Sequence, residues 1–220
     1  MKDLSQQLLK FSYDENFKYD DFYISTSNSQ IFNFLDKWPK WERNFINIIG
    51  QKFSGKTHLI NIFIKKNKGI SINGQFLNEE DLKKISIYEN IIIEDLTSNI
   101  NENLLYSLIN LVEHDNKYVI ITSLNPIVNI DFKLADLKSR AKNFLLLNIE
   151  QPDDELIFGI ILKNFSDRQI LLDKKLIDYI VKRIERSYSK IHNFIYKIDQ
   201  LSLKKKKSID FELIKAVLGE

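Results

Sequence analysis

Phe45-Ile46-Asn47-Ile48-Ile49 runs directly into Gly50-Gln51-Lys52-Phe53-Ser54-Gly55-Lys56-Thr57, and His58-Leu59-Ile60-Asn61-Ile62-Phe63-Ile64 follows. The first segment is apolar apart from Asn47 and has the length of a strand. The third, with Leu59, Ile60, Ile62, Phe63 and Ile64, reads as a helix. Between them the octet fits G-x-x-x-x-G-K-[ST], in the strand–loop–helix setting that a phosphate loop requires. Gly50, Ser54 and Gly55 belong to a backbone whose N–H groups turn inward around phosphate oxygens, and the helix dipole adds positive potential. In such a loop Lys56 reaches the β- and γ-phosphates and the Thr57 hydroxyl ligates Mg²⁺.

The alternation continues on the C-terminal side. Gly69–Ile72 is a short strand candidate and Glu79–Ile85 a short helix. Ile91-Ile92-Ile93 is wholly apolar and ends in Glu94-Asp95, as suits a strand of a parallel sheet buried on both faces. Two acids at the end of such a strand are costly to desolvate unless they face a cation or solvent. Glu94 lies 38 residues after Lys56 and is the expected magnesium-side acid, with Asp95 placed to polarise a water. Leu104, Leu105, Leu108, Ile109 and Val112 recur at helical spacing, and Tyr118–Thr122 and Phe144–Leu147 are further strand candidates. On the N-terminal side, Ser27-Asn28 caps a predicted helix carrying Ile31, Phe32 and Leu35 that Pro39 ends. Five strands separated by helices predict an α/β/α parallel-sheet domain.

After Pro152 only helical periods remain. Leu176, Ile177, Ile180, Val181 and Ile184 form one apolar stripe, and Ile191, Phe194, Ile195, Ile198 and Leu201 another. The expected division is an arm over residues 1–24, a nucleotide-binding core over 25–150 and a small all-helical lid over 151–220.

The chain of 220 residues has 44% hydrophobic and 28% charged residues, which excludes a disordered or fibrous class. With no cysteine and three scattered histidines, His58, His114 and His192, disulfides and thiolate or histidine zinc clusters are not expected. A formal charge of +2 excludes a strongly basic nucleic-acid coat. No stretch is long enough to span a membrane and no secretory leader is apparent, so a cytoplasmic protein is expected.

Gly55-Lys56-Thr57-His58-Leu59 resembles the phosphate-loop continuation of the DnaA-related AAA+ family of replication initiators. Asp136-Leu137-Lys138-Ser139-Arg140 is similar to that family's arginine-finger motif. Pro152-Asp153-Asp154-Glu155-Leu156, Asp167-Arg168-Gln169, Glu185-Arg186-Ser187 and Trp38-Pro39-Lys40-Trp41 resemble landmarks of a paralogous group, the regulatory inactivators of DnaA. The resemblance implies an AAA+ module that binds ATP or ADP with Mg²⁺. It implies that Phe22 and Asn28 lie near adenine, that His58 belongs to the nucleotide site, and that Lys190 approaches the γ-phosphate as the lid's sensor. It implies that Arg140 acts on nucleotide held by a neighbouring subunit, a DnaA-type initiator or another copy of the chain. Gln6-Gln7-Leu8-Leu9-Lys10-Phe11 resembles a sliding-clamp binding peptide, in which Gln6 hydrogen-bonds the clamp while Leu9 and Phe11 enter its apolar pocket.

The departures bear on activity. Phe53 and Gln51 stand at loop positions that are commonly glycine, and a φ above zero at Phe53 carries strain. Leu124 occupies the acidic sensor position after the fourth strand, with Ser123 and Asn125 as the polar neighbours that could substitute. Nucleotide binding is therefore expected with weak or no intrinsic hydrolysis, Arg140 serving as activator of the initiator's ATPase. The alternatives are an autonomous ATPase of the helicase-loader type and a scaffold that binds no nucleotide. Lys204–Lys207 is a basic run at a helix end, read as solvated, and no sequence-specific DNA recognition is expected.

Overall fold

A computed structural model describes residues 22–219 of the chain. Residues 1–21 of the arm, including Gln6, Leu9 and Phe11, lie outside the described residues. The elements are α1 (Ser29–Asp36), β1 (Phe45–Ile49), α2 (Lys56–Asn67), β2 (Gly69–Asn73), α3 (Glu79–Ile85), β3 (Asn90–Leu96), α4 (Glu102–His114), β4 (Tyr118–Ser123), α5 (Ala135–Ala141) and β5 (Leu145–Asn148). Four helices follow: α6 (Asp154–Asp167), α7 (Lys174–Val181), α8 (Tyr188–Lys205) and α9 (Phe211–Leu218).

The five strands form one parallel sheet in the order β2-β3-β4-β1-β5. Successive side chains of a strand point to opposite faces, and both faces are buried. Ile91 and Ile93 pack with Leu105, Leu108 and Val112 of α4, whereas Ile92 packs with Leu59, Ile60 and Phe63 of α2. This explains why the central strands β1, β3 and β4 are mostly apolar runs rather than alternating, while the edge strand β2 alternates Ile70 and Ile72 with Ser71 and Asn73. Asn47 in β1 is fully buried and fully used: its amide donates to the Ile121 carbonyl and Ser123 Oγ, and its oxygen accepts from the Ile127 amide.

The predicted elements are present with small shifts. The last strand begins at Leu145 instead of Phe144, whose ring packs edge-on against Phe45. Helix α1 ends at Asp36, before Pro39 is reached, and Asn28 does not cap it with its side chain. That amide instead accepts from the Ser25 N–H and donates to the Tyr23 carbonyl, closing a turn ahead of the helix.

Helices α6 to α9 bury a cluster of their own, built on Ile157, Ile161, Phe165, Ile177, Ile180, Ile191, Ile195, Ile198 and Ile214. Leu156 and Tyr188 leave that set and pack against the α1–α2 face of the sheet, so apolar contact is continuous from sheet to lid. Asp153 provides the polar part of the junction. Its carboxylate caps α6 through the Leu156 amide and accepts from Thr26 Oγ1 and Ser27 Oγ, while its own N–H donates to Ser27 Oγ. Burial opposes ionisation of this carboxyl, but the hydrogen bonds outweigh burial and hold it far below the usual carboxylate range.

A stability prediction follows from the direction of that shift. A depressed folded-state value stabilises the protein above the unfolded chain's value, near pH ~4, and the benefit vanishes as pH falls through the folded value. Asp153→Ala is expected to cost about 2 kcal/mol at pH 7, or roughly 5 °C in Tm. Thermal melts of wild type and variant should converge progressively below about pH 4. An equal gap at pH 7 and pH 3 would locate the loss in packing instead of charge.

Candidate nucleotide-binding site

The phosphate loop opens into a cleft of about 680 Å³ between the C-terminal edge of the sheet and the lid. Gly55 takes φ 89, a left-handed conformation that glycine adopts without steric cost, and it turns the chain into α2. The first-turn amides of α2 have no intrahelical acceptor and face the loop as donors. Lys56 is buried, its ammonium donating to the carbonyls of Gly50 at 2.7 Å and Gln51 at 3.0 Å. Burial lowers its pKa, and the charge of Asp95 partly restores it. Ser54 Oγ is buried without a hydrogen-bond partner among the described residues. Thr57 is exposed to the cleft. An orphaned hydroxyl, a desolvated ammonium and free helix-end amides are the donor set that a phosphate chain satisfies.

Of the two acids that end β3, one joins the cleft. A register irregularity between Ile93 and Leu96 and a φ of 54 at Asp95 turn Asp95 into it. Glu94 points across to β2, where its carboxylate accepts from Ser71 Oγ, and it does not line the cleft. The alternation of strand side chains separates the two, so Asp95 and not Glu94 is the acid that lines the cleft. No three His, Cys, Asp or Glu side chains cluster as a metal site among the described residues. Thr57 and Asp95 are the oxygen donors that fit a phosphate-bound Mg²⁺. Leu124 is exposed and lines the cleft at the end of β4. Ser123 cannot substitute for an acid there, because its hydroxyl is buried, donating to the Asn125 carbonyl and accepting from Asn47.

The far wall is aromatic. Phe22 stacks on Phe32 and meets His58 edge-on, with centroids 5.9 Å and 5.2 Å apart. Phe22, Asn28 and His58 all line the cleft, although both ends of the Asn28 amide are occupied by backbone partners. Tyr23 sits over Gly159 of α6, where an added Cβ would approach the ring to 2.6 Å, so only glycine leaves room for it.

The lid supplies Tyr188, Ile191, His192 and Ile195, one face of α8. At 100° per residue Lys190 falls off that face; its ammonium is exposed and pairs with Glu185 at 3.4 Å. His192, unassigned from sequence, occupies the cleft in its place. Its signal was the spacing of four from Tyr188 beside the apolar stripe. Phe53 has φ 68, the strained conformation expected of a side chain at that loop position.

A sheet of this order, with a phosphate loop after β1 and a helical lid closing over it, is matched by solved structures. Domain III of the Thermotoga maritima replication initiation protein DnaA superposes with a TM-score of 0.75 at 18% identity, covering 95% of this chain and 98% of that one. The fold is that of a DnaA-type AAA+ module. AMPPCP-bound DnaA from Aquifex aeolicus matches with a TM-score of 0.66 at 19% identity, over 84% of this chain and 65% of that one. In sequence the chain is similar to the chromosomal replication initiator DnaA of Buchnera aphidicola, 24% identical over 233 aligned residues. That match covers 94% of this chain and 53% of the initiator, so the chain spans about half the length of that relative. No family model matches the chain. No helix among the described residues is long and apolar enough to cross a membrane.

In this DnaA-type fold Arg140 lies away from the cleft. It is near the end of α5, which leads into the N-terminal end of β5, whereas the phosphate loop follows the C-terminal end of the parallel β1. The guanidinium pairs with Glu113 of α4 and stands 5.5 Å over the Tyr106 ring. Hydrogen bonding to Glu113 raises its pKa further, so it is a permanent cation. Its side chain remains 27% exposed.

Proposed function

We propose that the chain is a nucleotide-binding regulator of replication initiation that supplies Arg140 to ATP held by a DnaA-type initiator. The observation that carries this reading is the separation of two kinds of group. Lys56, Thr57 and Asp95 gather at one cleft, while Arg140, a permanent cation, stands on the opposite edge of the sheet. An arginine that is absent from its own chain's cleft is suited to a triphosphate on another subunit. There the guanidinium neutralises charge that develops on the γ-phosphoryl oxygens as water attacks, an effect of roughly 10³–10⁵ in rate where arginines are supplied in trans.

In this reading the chain's own cleft holds ATP or ADP and Mg²⁺. Lys56 and the α2 amides bind the phosphates, Thr57 and Asp95 hold the metal, and Phe22 and His58 line the base side. Leu124 brings no charge to the sensor position, which favours retention of nucleotide over turnover. Docking to the sliding clamp through Gln6, Leu9 and Phe11 is part of the proposal and raises the local concentration of Arg140 near loaded DNA.

Initiator loaded with γ-labelled ATP, mixed with the chain in the presence and absence of clamp on DNA, tests the reading. Phosphate release should accelerate by orders of magnitude only in the complete mixture. Steady ATP turnover by the isolated chain, with no effect on the initiator, would replace it with an autonomous ATPase.

A further inference from the structure

The tip of the phosphate loop touches the lid through side chains. Phe53 lies face to face with His192 of α8, ring centroids 3.8 Å apart and planes 6° from parallel. Beside this stack Ser187, at the start of α8, donates through Oγ to the Gln51 side-chain oxygen at 3.5 Å. Lys52 Nζ stands 5.3 Å from the centroid of the same Phe53 ring.

Burial does not explain why Phe53 is where it is, since the residue is 46% exposed. Its backbone is at φ 68, a conformation that glycine would adopt freely and that a side chain disfavours. Strain of this kind persists only where surrounding structure holds it in place. Here the structure that meets the ring is His192, itself exposed and on the cleft-lining face of α8. The helix beneath is rigid, with Ile191, Phe194, Ile195 and Ile198 buried in the lid core. A strained loop residue and a ring on a firmly packed helix therefore meet at the boundary between loop and lid.

We propose that Phe53 and His192 form an aromatic latch that positions the lid on the phosphate loop independently of nucleotide, with His192 as a positioning residue of the cleft. The latch concerns two parts of this chain, loop and lid; only its consequence for exchange rests on the nucleotide-binding reading above. A nucleotide seated between loop and lid leaves when the stack parts, so the latch slows release.

Two readouts test it. In the nucleotide-free protein, hydrogen exchange of the phosphate-loop amides in residues 51–55 is expected to quicken by about 2- to 10-fold in His192→Ala and in Phe53→Gly, the factor that one aromatic pair contributes. His192→Phe, which keeps a ring on the stack, should restore wild-type protection. With a fluorescent ADP analogue, dissociation should quicken by the same factor in each single variant and no further in the double variant, because one contact is lost only once. Unchanged exchange in His192→Ala, or additive effects in the double variant, would overturn the latch. If wild type binds no adenine nucleotide, the nucleotide reading fails and the amide-exchange result decides the latch alone.

Discussion

Arg140→Ala is expected to leave the chain folded and able to bind nucleotide while removing its effect on initiator-held ATP, a loss of about 10³-fold or more in phosphate release. The fold should tolerate the change because the pair with Glu113 is at the surface, its two side chains 27% and 51% exposed, and such pairs contribute about 0–1 kcal/mol. The cleft should be indifferent too, since Arg140 does not line it. Arg140→Lys should rescue poorly. A lysine supplies charge but not the planar fork that engages two phosphoryl oxygens at once. Single-turnover hydrolysis with saturating clamp separates the chemical step from docking. A variant that stimulates as well as wild type, at equal thermal stability, would remove Arg140 from the mechanism. Glu113→Gln provides a graded counterpart, because the carboxylate competes with any incoming phosphate for the same guanidinium.

Lys56→Ala should abolish tight nucleotide binding, with affinity falling by about 10²-fold or more through loss of charge-assisted contacts to the phosphates. The nucleotide-free protein should melt within a few degrees of wild type. Lys56 is buried, and among the described residues its ammonium donates to two loop carbonyls. Removing it therefore also removes a desolvation cost, which shows in its lowered pKa. The diagnostic quantity is the rise in Tm on adding Mg-ADP or Mg-ATP, which is several degrees when ligand is far above Kd and absent when binding is lost. A stabilisation by nucleotide that survives in Lys56→Ala would place the nucleotide outside the phosphate loop.

The departures of the two expectations at Glu94 and Lys190 share one cause. Adjacent residues on a strand face opposite ways, and residues two apart on a helix lie about 200° apart. Choosing between Glu94 and Asp95 needed the local twist of β3 at the positive φ of Asp95, which a string of letters does not encode. Choosing between Lys190 and His192 needed the rotation of α8 about its axis, set by Ile191, Phe194 and Ile198 seeking the lid core. Asn28 illustrates a third kind of gap. The sequence marks it as a polar residue at a helix start, but its amide is spent on Ser25 and Tyr23 because the turn before α1 left those groups unpaired. Asp153 belongs to a segment that the sequence marks by resemblance, whereas in the structure it caps α6 and joins the lid to Thr26 and Ser27.

Local chemistry was therefore sufficient for the order of elements and for the loop. Apolar runs buried on both sides dictate parallel strands, and Gly50 to Thr57 dictates a tight turn of phosphate-loop form before a helix, because both follow from periodicity and backbone freedom within a few residues. Only tertiary packing could decide which side chains share the cleft. That choice depends on where remote helices come to rest on the sheet, and it brought His192 against Phe53 and kept Arg140 on the far edge beside Glu113.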